Sequence, residues 1–144
     1  MRLVVVDTNV LVAGLITADV QSPTAQILNG MLDGRLLALL SPALLAEYQA
    51  VRMRPKLAAL HGLQESEVDR LLTDVTLNAL WREPFEKSAA PDPGDNHLWA
   101  LLDHEPNAVL ITGDQRLLND PHDHAIVMRP AVFLEIARGG SAPP

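Results

Sequence analysis

Three short apolar runs constrain this chain more than any other feature. Residues 3–6 (LVVV), 36–40 (LLALL) and 108–112 (AVLIT) are apolar at nearly every position rather than at alternate ones. A strand with one wet face alternates; a strand apolar throughout is buried on both faces, as in a parallel sheet covered by helices. A shorter run at 125–128 (AIVM) extends the series. Between the runs lie helical signals. Ser22-Pro23 and Ser41-Pro42 each place a capping hydroxyl before a proline at the first helical position. They predict helices over 23–33, closed by Gly34, and from 42 to about 53. Residues 10–15 predict a short helix that breaks near Gly14. Residues 65–81 carry Val68, Leu71, Leu72, Val75 and Leu80 at helical spacing, and an extended piece follows within 81–85. Residues 88–94 (SAAPDPG) read as a loop, and Asp95 caps a helix to His104. Gly113-Asp114 turns the chain into one helical turn, and Pro130 opens a last helix to Ala137. Strands alternating with helices predict an α/β fold, a three-layer α/β/α sandwich around a central parallel sheet of four to five strands. The 144 residues suit one core, placed at 1–138, with GGSAPP (139–144) as a flexible tail.

Composition narrows the chemistry. The chain has no cysteine, which excludes disulfides and thiolate metal ligands. Eighteen acids against eleven bases give a net charge of −7, which argues against a general charge-driven nucleic-acid binder. It leaves room for an enzyme whose acids are gathered in one site. No run is long enough to span a membrane, and Met1-Arg2 leads into too short an apolar stretch for a signal peptide. A cytoplasmic protein is expected.

Four acids stand at predicted element ends or on core-facing helix faces. Asp7 ends the first strand and is followed by Thr8 and Asn9. Alone it reads equally as a turn aspartate serving nearby amides. Glu47 shares a face with Leu44, Tyr48 and Val51 in SPALLAEYQAVRM, and a core-side acid needs a partner; pairing with Arg52 or Arg54 at the border of the stripe is the plainer alternative. Asp95 shares a face with Leu98, Trp99 and Leu102, but it follows Pro93-Gly94 and also suits a helix cap. Asp114 follows the 108–112 strand, where a Gly-Asp turn is the plain alternative and Thr112 offers a hydroxyl. Ligands of parallel sheets bind beyond the carboxyl ends of strands, so Asp7 and Asp114 meet if their strands are neighbours. Clustered carboxylates repel and raise one another's pKa values. Mg²⁺ or Mn²⁺ would relieve that repulsion, and oxygen donors suit those ions. The five histidines are scattered, and the pair His122 and His124 is expected on the surface.

DTN after an apolar strand, S-P-x-L-L-x-E-Y, D-P-G-D-N before an apolar helix and L-I-T-G-D after a strand occur in this order. In them the chain resembles the PIN domain family over residues 1 to about 138. R-M-R-P-K and V-M-R-P-A-x-F-L resemble its bacterial branch of VapC-like toxin components of toxin–antitoxin pairs. The resemblance implies an α/β/α sandwich and Mg²⁺- or Mn²⁺-dependent ribonuclease activity. By position it makes Asp7, Glu47, Asp95 and Asp114 the acidic quartet, with Thr8, Asn9 and Thr112 in support. Asp92 matches an acid frequent in this branch, whereas Asn96 stands where many relatives carry a further acid. It also implies a homodimer or higher homo-oligomer, and an antitoxin partner.

A carboxylate cluster holding one or two divalent ions would activate water against an RNA phosphodiester without a side-chain nucleophile. Arg52, Arg54, Lys56 and Arg116 are candidates to contact phosphate, with ordinary surface charge as the alternative for each. Two other readings compete. One is a PIN-like module of little activity that acts by binding a protein. The other is a phosphohydrolase on another doubly wound fold, against which stand Asn9 in place of a second aspartate and the lack of a glycine-rich phosphate loop.

Overall fold

Val4, Val5 and Val6 have no exposed surface at all, as the unbroken apolar pattern requires. They belong to β1 (Leu3–Val6), the middle strand of a sheet of five. The computed structural model describes residues 3–51, 54 and 64–139. After β1 come α1 (Thr8–Ile16), α2 (Pro23–Leu32), β2 (Leu37–Leu40), α3 (Pro42–Ala50), α4 (Glu65–Asn78) and β3 (Leu80–Trp81). A single 3₁₀ turn at Pro93–Asp95 leads into α5 (Asn96–His104), β4 (Val109–Ile111), α6 (Gln115–Asn119), β5 (Ile126–Met128) and α7 (Pro130–Ala137).

The strand order is β3-β2-β1-β4-β5, and every described pairing is parallel. The fold is therefore α/β, with a five-stranded parallel sheet flanked by helices. The chain lays β1, β2 and β3 to one side, then crosses back so that β4 pairs with the other edge of β1. The direction of strand order reverses between β1 and β4, and such a switch point opens a crevice at the carboxyl ends of the two strands. Val6 sits opposite Ile111 in this pairing, so the residues that follow both strands emerge side by side.

The caps form as the sequence dictates. The Ser22 and Ser41 hydroxyls accept from the amides of Ala25 and Leu44, each at 3.2 Å. Gly34 takes the left-handed conformation (φ 78°) just past α2. Two expectations are corrected. Helix α1 does not break at Gly14 but runs through it to Ile16. Glycine is needed there for space, because a Cβ would lie 2.8 Å from the carbonyl oxygen of Thr24 on α2. Leu80 and Trp81 leave the helix for β3 and pair beside Leu39 and Leu40, since sheet pairing outweighs a helical period there. Helix α3 runs to Ala50 and passes into a 3₁₀ conformation at Val51, and the expected end near Met53 lies outside the described residues. The expected break at Pro55, and all of the 139–144 tail except Gly139, lie outside the described residues. Among the described residues, no helix is long and apolar enough to cross a membrane.

Gly14→Ala tests the close approach of α1 and α2. Alanine is the better helix former by about 1 kcal/mol, but overpacking against backbone costs roughly 1–3 kcal/mol. A net loss of stability is expected as a lower urea midpoint with an unchanged slope; a higher midpoint would show that the two helices are not locked at this distance.

Candidate active site

The switch point is bound together by polar side chains. Asp7 follows β1 and is only 7% exposed. Its Oδ2 accepts from the Thr112 hydroxyl at 2.7 Å and from Asn9 Nδ2 at 3.3 Å. Thr112 follows β4 and is fully buried, and its hydroxyl oxygen also accepts from the Asp114 amide at 2.9 Å. The Gly113 amide donates to Asn9 Oδ1 at 3.4 Å. Asp7 begins α1 without using its side chain as a helix cap, although the Thr8 amide helps to lower its pKa. One residue upstream, the Val6 carbonyl accepts from the fully buried Tyr48 hydroxyl. Burial, together with the charges of Asp7 and Glu47, pushes this phenol far above its usual range, so it stays a donor.

Glu47 projects from α3 toward the same place. Its Oε1 accepts from Thr8 Oγ1 at 3.0 Å, and its Oε2 lies 3.2 Å from His97 Nε2. Its partners among the described residues thus come from α1 and α5; Arg52, the plainer partner, lies outside the described residues. Leu44, Tyr48 and Val51 on the same face are buried, as the spacing predicts. Asp95 occupies the position before α5, yet its side chain makes no capping bond. Asp92 serves the turn instead, accepting from the Gly94 amide at 2.8 Å. Asp114 does cap its helix, accepting from the Arg116 amide at 2.9 Å, as the Gly-Asp turn reading expects.

Asp7, Thr8, Asn9, Glu47, Asp92, Asp95 and Asp114 line one cavity of about 290 Å³, with Arg54, Gly94 and Arg116. Its electrostatics are lopsided. Burial raises the Asp7 carboxyl above its usual range against the lowering hydrogen bond from Thr112, and Glu47 and Asp114 raise it further. Asp95 is pushed up to about 6 by burial and then by Asp7, Asp92, Asp114 and Glu47. Partial burial would also raise Asp114, but hydrogen bonds from the Arg116 amide and guanidinium hold it below the usual range. Arg116 spans Asp92 at 3.3 Å and Asp114 at 3.4 Å, and so neutralises the outer edge of the cavity while Asp7 and Asp95 keep their excess charge. Arg52 and Lys56 lie outside the described residues.

Two histidines depart from expectation. His122 is buried, not on the surface. Its Nε2 lies 2.6 Å from Asp103, its Nδ1 accepts from the amides of His124 and Ala125, and its ring meets Trp99 edge-on. A carboxylate on α5 and two loop amides satisfy a ring that a polar loop segment would otherwise expose. His97 sits in the first turn of α5 against Glu47 and escaped sequence reasoning. The available signal was its place two residues after Asp95, on a helix otherwise apolar through Leu102.

A family model described as a PIN domain matches residues 3–116, from β1 into α6 and across all four acids. No curated protein matches the chain.

The raised Asp95 carboxyl predicts a pH dependence. Between pH 3.8 and about 6 the folded state holds a proton that the unfolded state has released, so this group's contribution to stability falls as pH rises through that window. In EDTA, Asp95→Asn should melt above the parent at pH 7 and lose part of the parent's decline across the window. Parallel melting curves for the two proteins would contradict the crowding of Asp95.

Proposed function

We propose that this chain, which belongs to the PIN domain family, is a Mg²⁺- or Mn²⁺-dependent endoribonuclease and the toxin of a toxin–antitoxin pair. PIN domains are generally nucleases, so phosphodiester hydrolysis is the general activity and RNA the substrate we assign. One observation carries the reading. Asp95 is raised to about 6 by burial and by four neighbouring acids, and its side chain makes no capping bond although it precedes α5. A carboxylate so placed, at the switch point of a parallel sheet, is stabilised by a bound cation.

The donor set fits a hard dication, since the cavity offers carboxylate oxygens and no thiolate. Among the described residues, no three histidine or acidic side chains converge into a ready-made cage. That accords with Mg²⁺ chemistry, in which one or two carboxylates bind the ion while water and substrate phosphate complete its shell. One or two of Asp7, Asp95 and Asp114 would hold the ion directly and the rest through its water shell, with Glu47 as a further such group or as the one that orients water. When bound, such an ion lowers the pKa of attacking water and offsets the charge that builds on the phosphoryl oxygens.

The protein's own residues supply the rest. Thr112 and Asn9 fix the Asp7 carboxylate, and Thr8 fixes Glu47. Arg116 would release one of its acids to meet a backbone phosphate, and Arg54 lines the same cavity. Leu77, Trp81 and Phe85 are exposed and would be the apolar contacts for an antitoxin or a second copy of the chain. A cytoplasmic location would suit a free RNA substrate.

The test is cleavage of labelled single-stranded RNA with Mn²⁺ or Mg²⁺, beside EDTA and beside Asp7→Asn. We expect cleavage that needs the metal and falls below detection in the variant, while its circular dichroism matches the parent. Cleavage that survives in Asp7→Asn would remove Asp7 from the site. Absence of both cleavage and Mn²⁺ binding would favour a module that acts by binding protein.

A further inference from the structure

We propose that His97 is the positioning residue for Glu47, its Nε2–H holding that carboxylate turned into the acidic cavity. The inference rests on the nuclease reading only for its consequence in catalysis; the contact itself stands apart from it. His97 is buried, and its two ring nitrogens are the only buried side-chain polar atoms among the described residues that lack a well-formed hydrogen bond. A buried polar group left without a partner costs free energy. Its Nε2 lies 3.2 Å from Glu47 Oε2. That separation is at the outer limit for a hydrogen bond, and only the alignment falls short. A turn of the ring or of the carboxylate that aligns Nε2–H with Oε2 would close the bond. With the proton on Nε2, only an acceptor lone pair at Nδ1 stays unmet.

The placement gives the bond its purpose. Glu47 is a long side chain, 39% exposed, that would otherwise be free to swing into solvent. Thr8, next to Asp7 on α1, holds one of its oxygens. His97, two residues from Asp95 on α5, faces the other. The two helices that begin at the other acids therefore grip the third between them. The relative placement of Asp7, Glu47 and Asp95 becomes one unit, as outer partners fix metal-binding carboxylates elsewhere.

Three measurements on the full chain test this. Long-range ¹H–¹⁵N correlation at fixed pH, without metal, reports where the His97 proton sits. A protonated Nε2 whose shift moves in Glu47→Gln is expected; a neutral ring protonated at Nδ1 overturns the proposal. Calorimetry with MnCl₂ then compares the parent, His97→Leu and His97→Gln, each checked for folding by circular dichroism. Leucine keeps the bulk and loses the donor, whereas glutamine restores an N–H close to the position of Nε2. We expect leucine to weaken Mn²⁺ binding by about 10–100-fold and glutamine to recover most of it. Equal affinities in parent and leucine variant, or equal losses in both variants, would make His97 a mere filler and overturn the proposal. RNA cleavage should follow the same order, in kcat more than in KM. A parent that binds Mn²⁺ yet cuts no RNA would defeat the nuclease reading and leave the His97 comparison intact. If the parent binds no Mn²⁺, the proton position alone decides.

Discussion

The Thr112 hydroxyl is the joint on which the arrangement depends. It donates to Asp7 at the end of β1 and accepts from the Asp114 amide just past β4. A fully buried hydroxyl satisfied in both roles costs little and fixes much. It ties together the ends of two strands that are more than a hundred residues apart in the chain and adjacent only in the sheet. Without the β1–β4 pairing, the carboxylates of Asp7 and Asp114 would belong to unrelated turns.

Around that joint the molecule tolerates a charge imbalance that a structural cluster would have removed. Neighbouring acids end in caps or ion pairs, as Asp92 and Asp114 do with backbone amides and Arg116, and Asp103 is held by Ser88 and His122. Asp7 and Asp95 do not. Asp7 is buried among neighbours of like charge, with hydroxyl and amide donors to offset them, and the Asp95 side chain makes no capping bond. The same carboxyl chemistry is thus split into a quiet set and a strained set within one small cavity. The strained set lies at the edge where parallel sheets bind ligands, and perturbed groups in a cleft are the usual mark of a functional site.

Much of this was legible beforehand. Residues 3–6 and 108–112 read as strands because burial on both faces leaves no polar position. Ser22 and Ser41 read as caps because a hydroxyl before proline meets a helix end's unmet amides in one way. Asp7, Glu47, Asp95 and Asp114 each read singly as a candidate beside a plainer alternative, which is weakest for Glu47 and strongest for Asp95. What failed was whatever depended on a distant partner. Gly14 reads as a break until Thr24 is seen pressed against it. His122 reads as surface until Asp103 and two loop amides are found around it. Leu80 fits the helical period until β2 claims it.

The sequence by itself determined the class of fold, the ends of most elements and the short list of acids, because these follow from local periodicity, capping chemistry and the cost of burying charge. Only the tertiary structure decided which acids share a cavity, that Asp95 is left uncapped while Asp92 does the capping, that Arg116 faces Asp92 and Asp114, and that a histidine lies against Glu47. Those facts depend on strand order and helix packing. Pairing of β1 with β4 and the meeting of α1, α3 and α5 are settled by the burial of the whole apolar surface at once, which no short stretch of sequence specifies.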